Sequence, residues 1–417
     1  MEKVDTLIIG AGVSGLSYAI FCNEDFLIVE KEPVAGGLCR TFYKDEFVWD
    51  YAGHFFHFSN PEIKEYFGKK IKQSDLVTQT KNTYIFYKNS LIDFPFQKNI
   101  HQLPKEEFIN CLYDLFFKNE KEAYSSFEDM LYGKFGKSIT DLFLKPYNEK
   151  LYACHLNELD QNAMGRFFPY TDTTEIIKNF KIKNNNSYNT TFDYPKRGAQ
   201  VFVDALLDDI DSGRIMYNCE ITQINPEKKE AIINDRIIKY NKLVNTIPLK
   251  NFLLLLPKKY HDNNQILKAN KVLVFNIGFD TPPNNRTVHW IYFPQKDINF
   301  YRVGFYNNIL NKEKMSIYVE IGFSEKSDIN LESEYKSTIS NLKKVGIITD
   351  QKICAYNSLI IDPGYVHITP DSIKFCNEMI SELSKYNIYI VGRYALWTYC
   401  SIEDCIQAAK TLSKKTN

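Results

Sequence analysis

The chain lacks an excess of charge of either sign. Its 51 lysine and arginine residues balance 51 aspartate and glutamate residues, so the formal net charge at pH 7 is zero. A neutral chain has no overall field that would attract nucleic acid or an anionic membrane. Any anion site must therefore be local, and we expect neither nucleic acid nor a membrane among the partners.

Metal-binding cysteine patterns and long apolar runs are missing as well. The nine cysteines form no Cys-x-x-Cys pair and no cysteine/histidine cluster with zinc spacing, so we expect no metal. The first strand begins near Val4, which leaves no room for a signal peptide. No stretch approaches the roughly 18 uncharged apolar residues that a membrane span needs. These absences predict a cytoplasmic protein with reduced, mostly buried thiols.

What the chain does contain is a dinucleotide-binding pattern near its start. The apolar run TLII at residues 6–9 is followed directly by Gly10, Gly12 and Gly15 in the spacing G-x-G-x-x-G, and then by a helical segment and a second apolar strand at residues 26–29. Glycines let the backbone approach a pyrophosphate, and the start of the following helix offers free N–H groups to it. The pattern therefore predicts a Rossmann-like dinucleotide site.

A carboxylate and a second glycine pair extend this pattern. Glu30 ends the second strand about 20 residues after the first glycine, where a carboxylate can bind the adenosine ribose. Gly36 and Gly37 then complete the spacing E-x-x-x-x-x-G-G. This extension resembles the FAD-binding region of the flavoprotein superfamily that includes amine oxidases, protoporphyrinogen oxidases and UDP-galactopyranose mutases. The resemblance implies FAD, and not a nicotinamide alone, as the bound dinucleotide.

The rest of the chain alternates between hairpin, helical and strand patterns. Residues 83–92 predict a hairpin, and residues 105–143 predict helices that end at residues 145–152. Residues 271–321 alternate as antiparallel strands. The polar, asparagine-rich residues 181–191 predict either a mobile lid or a plain solvated loop.

We predict an α/β fold with α+β insertions. The chain of 417 residues, 44% of them hydrophobic, exceeds one typical domain. No internal repeat or low-complexity linker divides it, so the Rossmann-like domain must be built from discontinuous segments. The predicted domains are an FAD-binding domain of residues 1–80, 196–265 and 355–417, a helical cap domain of residues 98–190, and a mainly antiparallel sheet domain of residues 266–354.

Stretches along nearly the whole chain, in order, resemble the UDP-galactopyranose mutase family. They include DYAGH at residues 50–54, FPFQKNI at residues 94–100, KPYNEK at residues 145–150 and GRYALWTY at residues 392–399. The family implies an isomerase in which reduced FAD attacks the anomeric carbon of a UDP-hexose through its N5 and displaces UDP, before the sugar recloses as a furanose. The resemblance also implies NADPH or another reductant, and a role in surface polysaccharide biosynthesis.

The resemblance assigns roles to individual residues. His54 matches a histidine beside the flavin, and Arg166 and Arg302 match two arginines that hold the diphosphate, a task suited to the guanidinium fork. Gly392 and Arg393 match the flavin-binding turn near the C-terminus. The implied substrate-binding residues are Phe94 and Gln97 at the uracil, Asn189 on the polar loop, and the hydroxyl donors Tyr292, Tyr365 and Tyr399.

Departures from the family leave the sugar and the nucleotide open. Ala52 replaces the first glycine of Gly-Gly-His, Tyr152 replaces a tryptophan, and Thr398 stands where an arginine is common. The chief alternative is a flavin oxidase or desaturase of the amine oxidase or protoporphyrinogen oxidase type, which has no use for two arginines flanked by tyrosines. A third interpretation is a flavoprotein that binds a nucleotide-sugar without turnover. A homo-oligomer also stays open.

Overall fold

The computed structural model of the protein describes residues 2–185 and 190–416. No helix in this part of the chain has both the length and the apolar content to cross a membrane. The strands are β1 (Glu2–Ile9), β2 (Phe26–Val29), β3 (Thr41–Lys44), β4 (Phe47–Asp50), β5 (Leu76–Thr80), β6 (Thr83–Tyr87), β7 (Ser90–Asp93), β8 (Thr191–Pro195), β9 (Ile215–Met216), β10 (Ile221–Asn225), β11 (Glu230–Ile233), β12 (Arg236–Asn245), β13 (Asn270–Phe279), β14 (Trp290–Tyr292), β15 (Arg302–Phe305), β16 (Ser316–Ser324), β17 (Ile353–Ile361) and β18 (Ile388–Ile390). The α-helices are α1 (Val13–Phe21), α2 (Pro61–Lys70), α3 (Lys105–Phe116), α4 (Phe127–Ile139), α5 (Lys145–Tyr152), α6 (Thr173–Asn179), α7 (Gln200–Leu207), α8 (Leu249–Leu255), α9 (Tyr306–Leu310), α10 (Leu331–Lys344), α11 (Pro370–Ser384) and α12 (Ile402–Thr416).

The first sheet carries the dinucleotide pattern. Its strands follow the order β10-β11-β12-β1-β2-β9, and β18 also pairs with β12. β1 runs parallel to both of its neighbours, and Leu7 and Ile8 on its two faces are fully buried. Burial on both faces explains the uninterrupted apolar sequence of this strand. With α1 packed against α12 beside the sheet, the Rossmann-like prediction is confirmed.

The second sheet follows the order β17-β13-β16-β15-β14-β6-β7 and is antiparallel except where β14 pairs with β6. A mainly antiparallel sheet is therefore confirmed, and the predicted hairpin joins it as β6 and β7. The predicted boundary between residues 354 and 355 falls inside β17. Because β17 pairs with β13 from Ile353 to Ile361, the whole strand belongs to this sheet. The division into three domains stays a prediction.

Residues 105–152, called the helical segment below, differ from their prediction at both ends of α4. Residues 117–126 interrupt the predicted run between α3 and α4, and residues 145–152, expected to end the helices, form α5. A five-residue π-helical turn at Thr140–Leu144 joins α4 to α5. Pro146 lies in the first turn of α5, directly after this π-helical turn, in which the N–H of Lys145 bonds the carbonyl oxygen of Thr140. The helical backbone therefore continues through the proline and does not end there.

Lys150 near the end of α5 ties the helical segment to the second sheet. Its Nζ lies 2.5 to 3.0 Å from four backbone carbonyl oxygens in the connection between β14 and β15, which share its three N–H donors. These two strands carry Tyr292 and Arg302, so the ammonium fixes the ends of both. The four accepting residues are Phe293, Gln295, Ile298 and Phe300.

We expect Lys150→Met to lower the free energy of unfolding by about 3 kcal/mol, because buried carbonyls without a donor each cost about 1 to 3 kcal/mol. Lys145→Met is the matched control on the same helix, since Lys145 pairs with Glu128 at the surface at 2.5 Å. Such a pair is worth about 1 kcal/mol or less. Urea unfolding followed by circular dichroism measures both losses, and equal losses would contradict the role of Lys150.

Candidate functional site

The first glycine turn, between β1 and α1, has two glycines that the fold itself requires. Gly10 has a φ of +96°, and a Cβ on Gly15 would lie 2.0 Å from the carbonyl oxygen of Gly10. A Cβ on Gly12 would meet no atom closer than the Cα of Gly37 at 4.0 Å. Gly12 thus faces open space at the start of α1, where the backbone of the chain can approach a ligand phosphate.

Glu30 joins the two glycine turns. Its buried carboxylate accepts hydrogen bonds from the backbone N–H of Ala11 at 2.7 Å and of Glu32 at 2.9 Å. The N–H of Gly36 donates to the carbonyl oxygen of Ala11 at 2.9 Å, so both turns are held together. A carboxylate oxygen can accept more than one hydrogen bond, which leaves room for a ribose hydroxyl. The ribose role of Glu30 stays a prediction.

The C-terminal glycine turn reaches the same place. A Cβ on Gly392 would lie 2.7 Å from Ser14 Oγ, so this turn packs directly on the start of α1. Nη1 of Arg393 donates to the carbonyl oxygen of Cys400 at 2.9 Å, and its guanidinium lies over the ring of Tyr399 at 4.3 Å. Among the described residues, the buried Nε of Arg393 has no hydrogen-bond partner. A buried donor of this kind fits a bound ligand that accepts its proton.

His54 lies between β4 and α2 with its ring partly buried. Nδ1 is 2.9 Å from the carbonyl oxygen of Ala52, which can only accept, so Nδ1 carries the proton. Desolvation lowers the pKa of His54 to about 4, and the ring is therefore neutral at pH 7. Gly53 is required beside it, because a Cβ there would lie 2.6 Å from Tyr318 Oη.

Asp50 fixes the strand that leads to His54. Its carboxylate accepts hydrogen bonds from Thr41 Oγ1 at 2.6 Å, Tyr194 Oη at 2.8 Å and the N–H of Ala199 at 3.0 Å. The side chain is fully buried. Desolvation raises the pKa of Asp50 to about 7, although the three hydrogen bonds favour the charged form.

The raised pKa of Asp50 predicts a pH dependence of stability. Since the pKa is about 7 in the folded state and about 3.9 in the unfolded chain, the folded state binds more protons between these values. The free energy of unfolding therefore falls as the pH rises from about 4 to about 7. We expect Asp50→Asn to flatten this slope in urea unfolding measured across the range. An unchanged slope in the variant would show that Asp50 is already ionised when folded.

One cavity of about 470 Å³ lies between the helical segment and the second sheet. Gly53 and Phe55, the sequence neighbours of His54, contribute to its wall. Asn189, predicted to contact the nucleotide, lies outside the described residues. The predicted site residues that line this cavity are Phe94, Gln97, Arg166, Tyr292, Arg302, Tyr365 and Tyr399.

Arg302 enters the cavity wall paired with a carboxylate. It lies opposite Glu320 where β15 pairs with β16, and its Nε and Nη2 bind both carboxylate oxygens at 2.6 to 3.0 Å. Glu320 is 1% exposed, whereas the side chain of Arg302 is 20% exposed. Within the part of the chain that the structure describes, Nη1 makes no hydrogen bond. The carboxylate thus orients the guanidinium and leaves one nitrogen for a ligand.

Arg166 lies at the rim of the cavity in a short 3-10 turn. Its Nη2 donates to Asp404 Oδ1 at 2.6 Å, and the two side chains are 47% and 35% exposed. An ion pair this exposed is weak, so a diphosphate can compete with the carboxylate for the arginine. The predicted contact between Arg166 and a diphosphate stays a prediction.

Three tyrosines present hydroxyls to the cavity. Tyr292 Oη accepts a hydrogen bond from Trp290 Nε1 at 2.7 Å, which leaves its own proton to donate. Tyr365 and Tyr399 stack with ring centroids 5.9 Å apart. Desolvation raises the pKa of Tyr292 and of Tyr365, so both hydroxyls stay protonated at neutral pH. They can therefore donate to an anion without reacting with it.

The part of the cavity wall next to Tyr292 combines an aromatic face with an amide. Nε2 of Gln97 donates to the carbonyl oxygen of Pro169 at 2.6 Å, and its buried Oε1 has no partner among the described residues. The ring of Phe94 contacts Tyr292 at a centroid distance of 5.0 Å, and Nζ of Lys81 lies 5.3 Å from the Phe94 centroid. Burial lowers the pKa of Lys81 to about 8. This part of the cavity wall suits a flat, polar ring.

Glu320, Lys81 and Tyr147 belong to the site but were missed in the sequence. Glu320 can be found only from the register of β15 against β16, which no local pattern gives. Lys81 precedes a strand at a position where a lysine is normally solvated. Tyr147 lies within the KPYNEK stretch, and its helical setting in α5 was missed with α5 itself.

Comparisons with known proteins agree with this fold. The family described as NAD(P)-binding Rossmann-like domain matches residues 8–69. The crystal structure of a reduced UDP-galactopyranose mutase has a TM-score of 0.92 at 21% identity, over 99% of this chain and 95% of that chain. A protein described as a protoporphyrinogen oxidase from Exiguobacterium sp. 255-15 has a TM-score of 0.79 at 14% identity, over 99% and 98%. Cyclohexylamine oxidase from Brevibacterium oxydans IH-35A has a TM-score of 0.71 at 12% identity, over 99% and 98%. The predicted likeness to the mutase is confirmed as a shared fold, which the other two proteins share as well.

Proposed function

We propose that the protein is an FAD-dependent isomerase that interconverts the pyranose and furanose forms of a nucleotide-sugar, UDP-galactose or a close relative. The observation that carries this proposal is the cavity wall, in which Arg302 stands among the hydroxyls of Tyr292, Tyr365 and Tyr399. A guanidinium and several unreactive hydroxyl donors are what a leaving diphosphate needs. The fold shared with a UDP-galactopyranose mutase supports the proposal.

FAD fits the dinucleotide site that the three glycine turns form. The open space at Gly12 would accept its pyrophosphate, Glu30 its ribose, and the unpartnered Nε of Arg393 an acceptor atom of the cofactor. When bound and reduced, FAD would supply the nucleophile for the anomeric carbon. We propose NADPH or another reductant as the source of its electrons.

The guanidinium of Arg302 would stabilise the negative charge that develops on the departing diphosphate. Glu320 holds the guanidinium in one orientation before the ligand arrives, so little reorganisation is needed during the reaction. The three tyrosine hydroxyls would donate to further oxygens of the diphosphate. Arg166 would add a second cation once it leaves Asp404.

The cavity would also hold the base, and His54 lies beside its wall through its neighbours Gly53 and Phe55. The ring of Phe94 and the free Oε1 of Gln97 suit a uracil, whose imide N–H can donate to that oxygen. His54 is neutral and keeps Nε2 as an acceptor, so it can bind a hydroxyl or an N–H without adding charge. A neutral His54, unlike an imidazolium, would not protonate the nucleophile during the displacement.

An oxidase is the second candidate, because two oxidases share the fold. An amine or polyene substrate offers no anion to Arg302 and no use for the surrounding hydroxyls. The paired charges in the cavity wall therefore favour the isomerase.

Ligand binding separates the two candidates. We expect UDP to perturb the flavin absorbance of the purified holoprotein and to give heat in calorimetry, with dTDP and GDP as comparisons and an amine panel as control. UDP without effect, combined with anaerobic bleaching of the flavin by an amine, would move the protein to the oxidase class.

A further inference from the structure

Two cysteines meet at the start of α12. Their sulfur atoms, Sγ of Cys400 and Sγ of Cys405, lie 3.6 Å apart, and both residues are free thiols. Ser401 between them caps the helix, because its Oγ accepts from the N–H of Asp404 and its own N–H donates to that carboxylate. Cys400 and Cys405 thus stand at the two positions that flank a helix start, where apolar side chains usually pack together.

The surroundings of the pair favour a thiolate at Cys405, whereas the hydrogen bond to Cys405 raises the pKa of Cys400. The pair lies at the positive end of the helix dipole and beside the guanidinium of Arg393, whose Nη1 bonds the carbonyl oxygen of Cys400. Hydrogen bonds from Cys400, Ser14 and the Arg393 amide lower the pKa of Cys405 to about 7. Cys400 is half-buried and Cys405 is buried, so a small reagent reaches Cys400 first. Thiols at helix starts near cations are the reactive ones.

We propose that Cys400 and Cys405 form a reversible dithiol–disulfide pair that exchanges with low-molecular-weight disulfides of the glutathione type. Cys405 first loses its proton to solvent, and Cys400 passes its own proton to the Cys405 thiolate along their hydrogen bond. The Cys400 thiolate then attacks one sulfur of the disulfide and releases one small thiolate. Cys405 then loses that proton to solvent and attacks Cys400 Sγ, which releases the second small thiolate. Two electrons pass from the dithiol to the reagent, the two cysteine protons go to solvent, and solvent protonates the two released small thiolates.

The disulfide would fasten a functional segment. Residues 393–400 contain Arg393 at the dinucleotide turn and Tyr399 in the cavity wall. Closing the bond ties the end of this segment to α12, because Cys405 belongs to the helix. Neither cysteine lines the cavity, so this exchange does not depend on the reaction there.

Mass spectrometry tests the pair on the holoprotein. Trypsin cleaves after Arg393 and Lys410, so both cysteines fall in the single peptide of residues 394–410. After incubation with oxidised glutathione and alkylation of the remaining thiols, we expect this peptide unalkylated and two hydrogen atoms lighter, and restored by reduced glutathione. Hydrogen exchange of the same peptide should slow in the oxidised protein.

Two variants sharpen the test. Cys405→Ser removes the resolving thiol and should trap a stable glutathione adduct on Cys400. Cys354→Ser, at an exposed cysteine, should leave the disulfide unchanged. The proposal is overturned if wild-type Cys400 and Cys405 stay alkylatable under conditions that fully modify Cys354, or if Cys400 keeps its glutathione adduct while Cys405 is present. The wild-type measurement decides even if a variant does not fold.

Discussion

Gly12→Ala is expected to abolish the retention of FAD while the chain still folds. Gly12 has φ −76° and ψ 176°, which any residue adopts, and its Cβ would meet no protein atom closer than the Cα of Gly37 at 4.0 Å. The methyl group would instead occupy the space that the pyrophosphate needs. Losing two charge-assisted backbone contacts of about 1.5 to 3 kcal/mol each weakens binding by at least about 100-fold.

The ratio of flavin absorbance to protein after purification measures this loss, and thermal unfolding of the flavin-free proteins measures stability. Gly15→Ala is the matched control in the same turn, because its Cβ would lie 2.0 Å from the carbonyl oxygen of Gly10 and should prevent folding. A Gly12→Ala protein that keeps its full flavin content would place the cofactor elsewhere.

Replacement of Arg302 is expected to have the second large effect, on UDP binding. Glu320 must be replaced together with it. Arg302→Ala alone would leave the carboxylate of Glu320 buried without its cation, which costs about 3 to 5 kcal/mol. The double variant Arg302→Gln and Glu320→Gln replaces the ion pair with two neutral amides. We expect it to keep FAD and to bind UDP at least about 100-fold more weakly, since charge-assisted contacts to the diphosphate are lost.

Glu320→Gln is the matched control, because it keeps the guanidinium and removes the charge that opposes it. We expect UDP to bind this variant at least as tightly as it binds the wild type, as measured by calorimetry on the holoproteins. UDP affinity of the double variant equal to that of the wild type would show that the diphosphate does not lie on Arg302.

The dinucleotide turn could be predicted from the sequence because all its determinants are local. Strand, glycines, helix and carboxylate follow one another within the first forty residues, and the structure brings Gly10, Gly12, Gly15 and Glu30 together as expected. The antiparallel strands could also be predicted from local sequence, because successive side chains of a strand point to opposite faces of the sheet.

Features that depend on register or on distant contacts could not be predicted. The pairing of Arg302 with Glu320 follows from the alignment of two strands, and the four-carbonyl site of Lys150 from a helix packed on a remote turn. The prediction that the helices end at residues 145–152 is wrong, because the π-helical turn that carries the helix into α5 has no local sequence signal. Cys400 and Cys405 lack the Cys-x-x-Cys spacing, so only the fold of the helix start brings their sulfurs together.

Ring isomerisation by the reduced holoprotein is the most direct test of the central claim. Dithionite-reduced protein is incubated anaerobically with UDP-galactopyranose and with a panel of UDP-, dTDP- and GDP-pyranoses, and the oxidised protein serves as control. We expect a furanose isomer of unchanged mass, resolved by chromatography, with the reduced protein only. No isomer from any donor, together with flavin reduction by an amine or a polyene, would contradict the isomerase and assign the cavity to an oxidase.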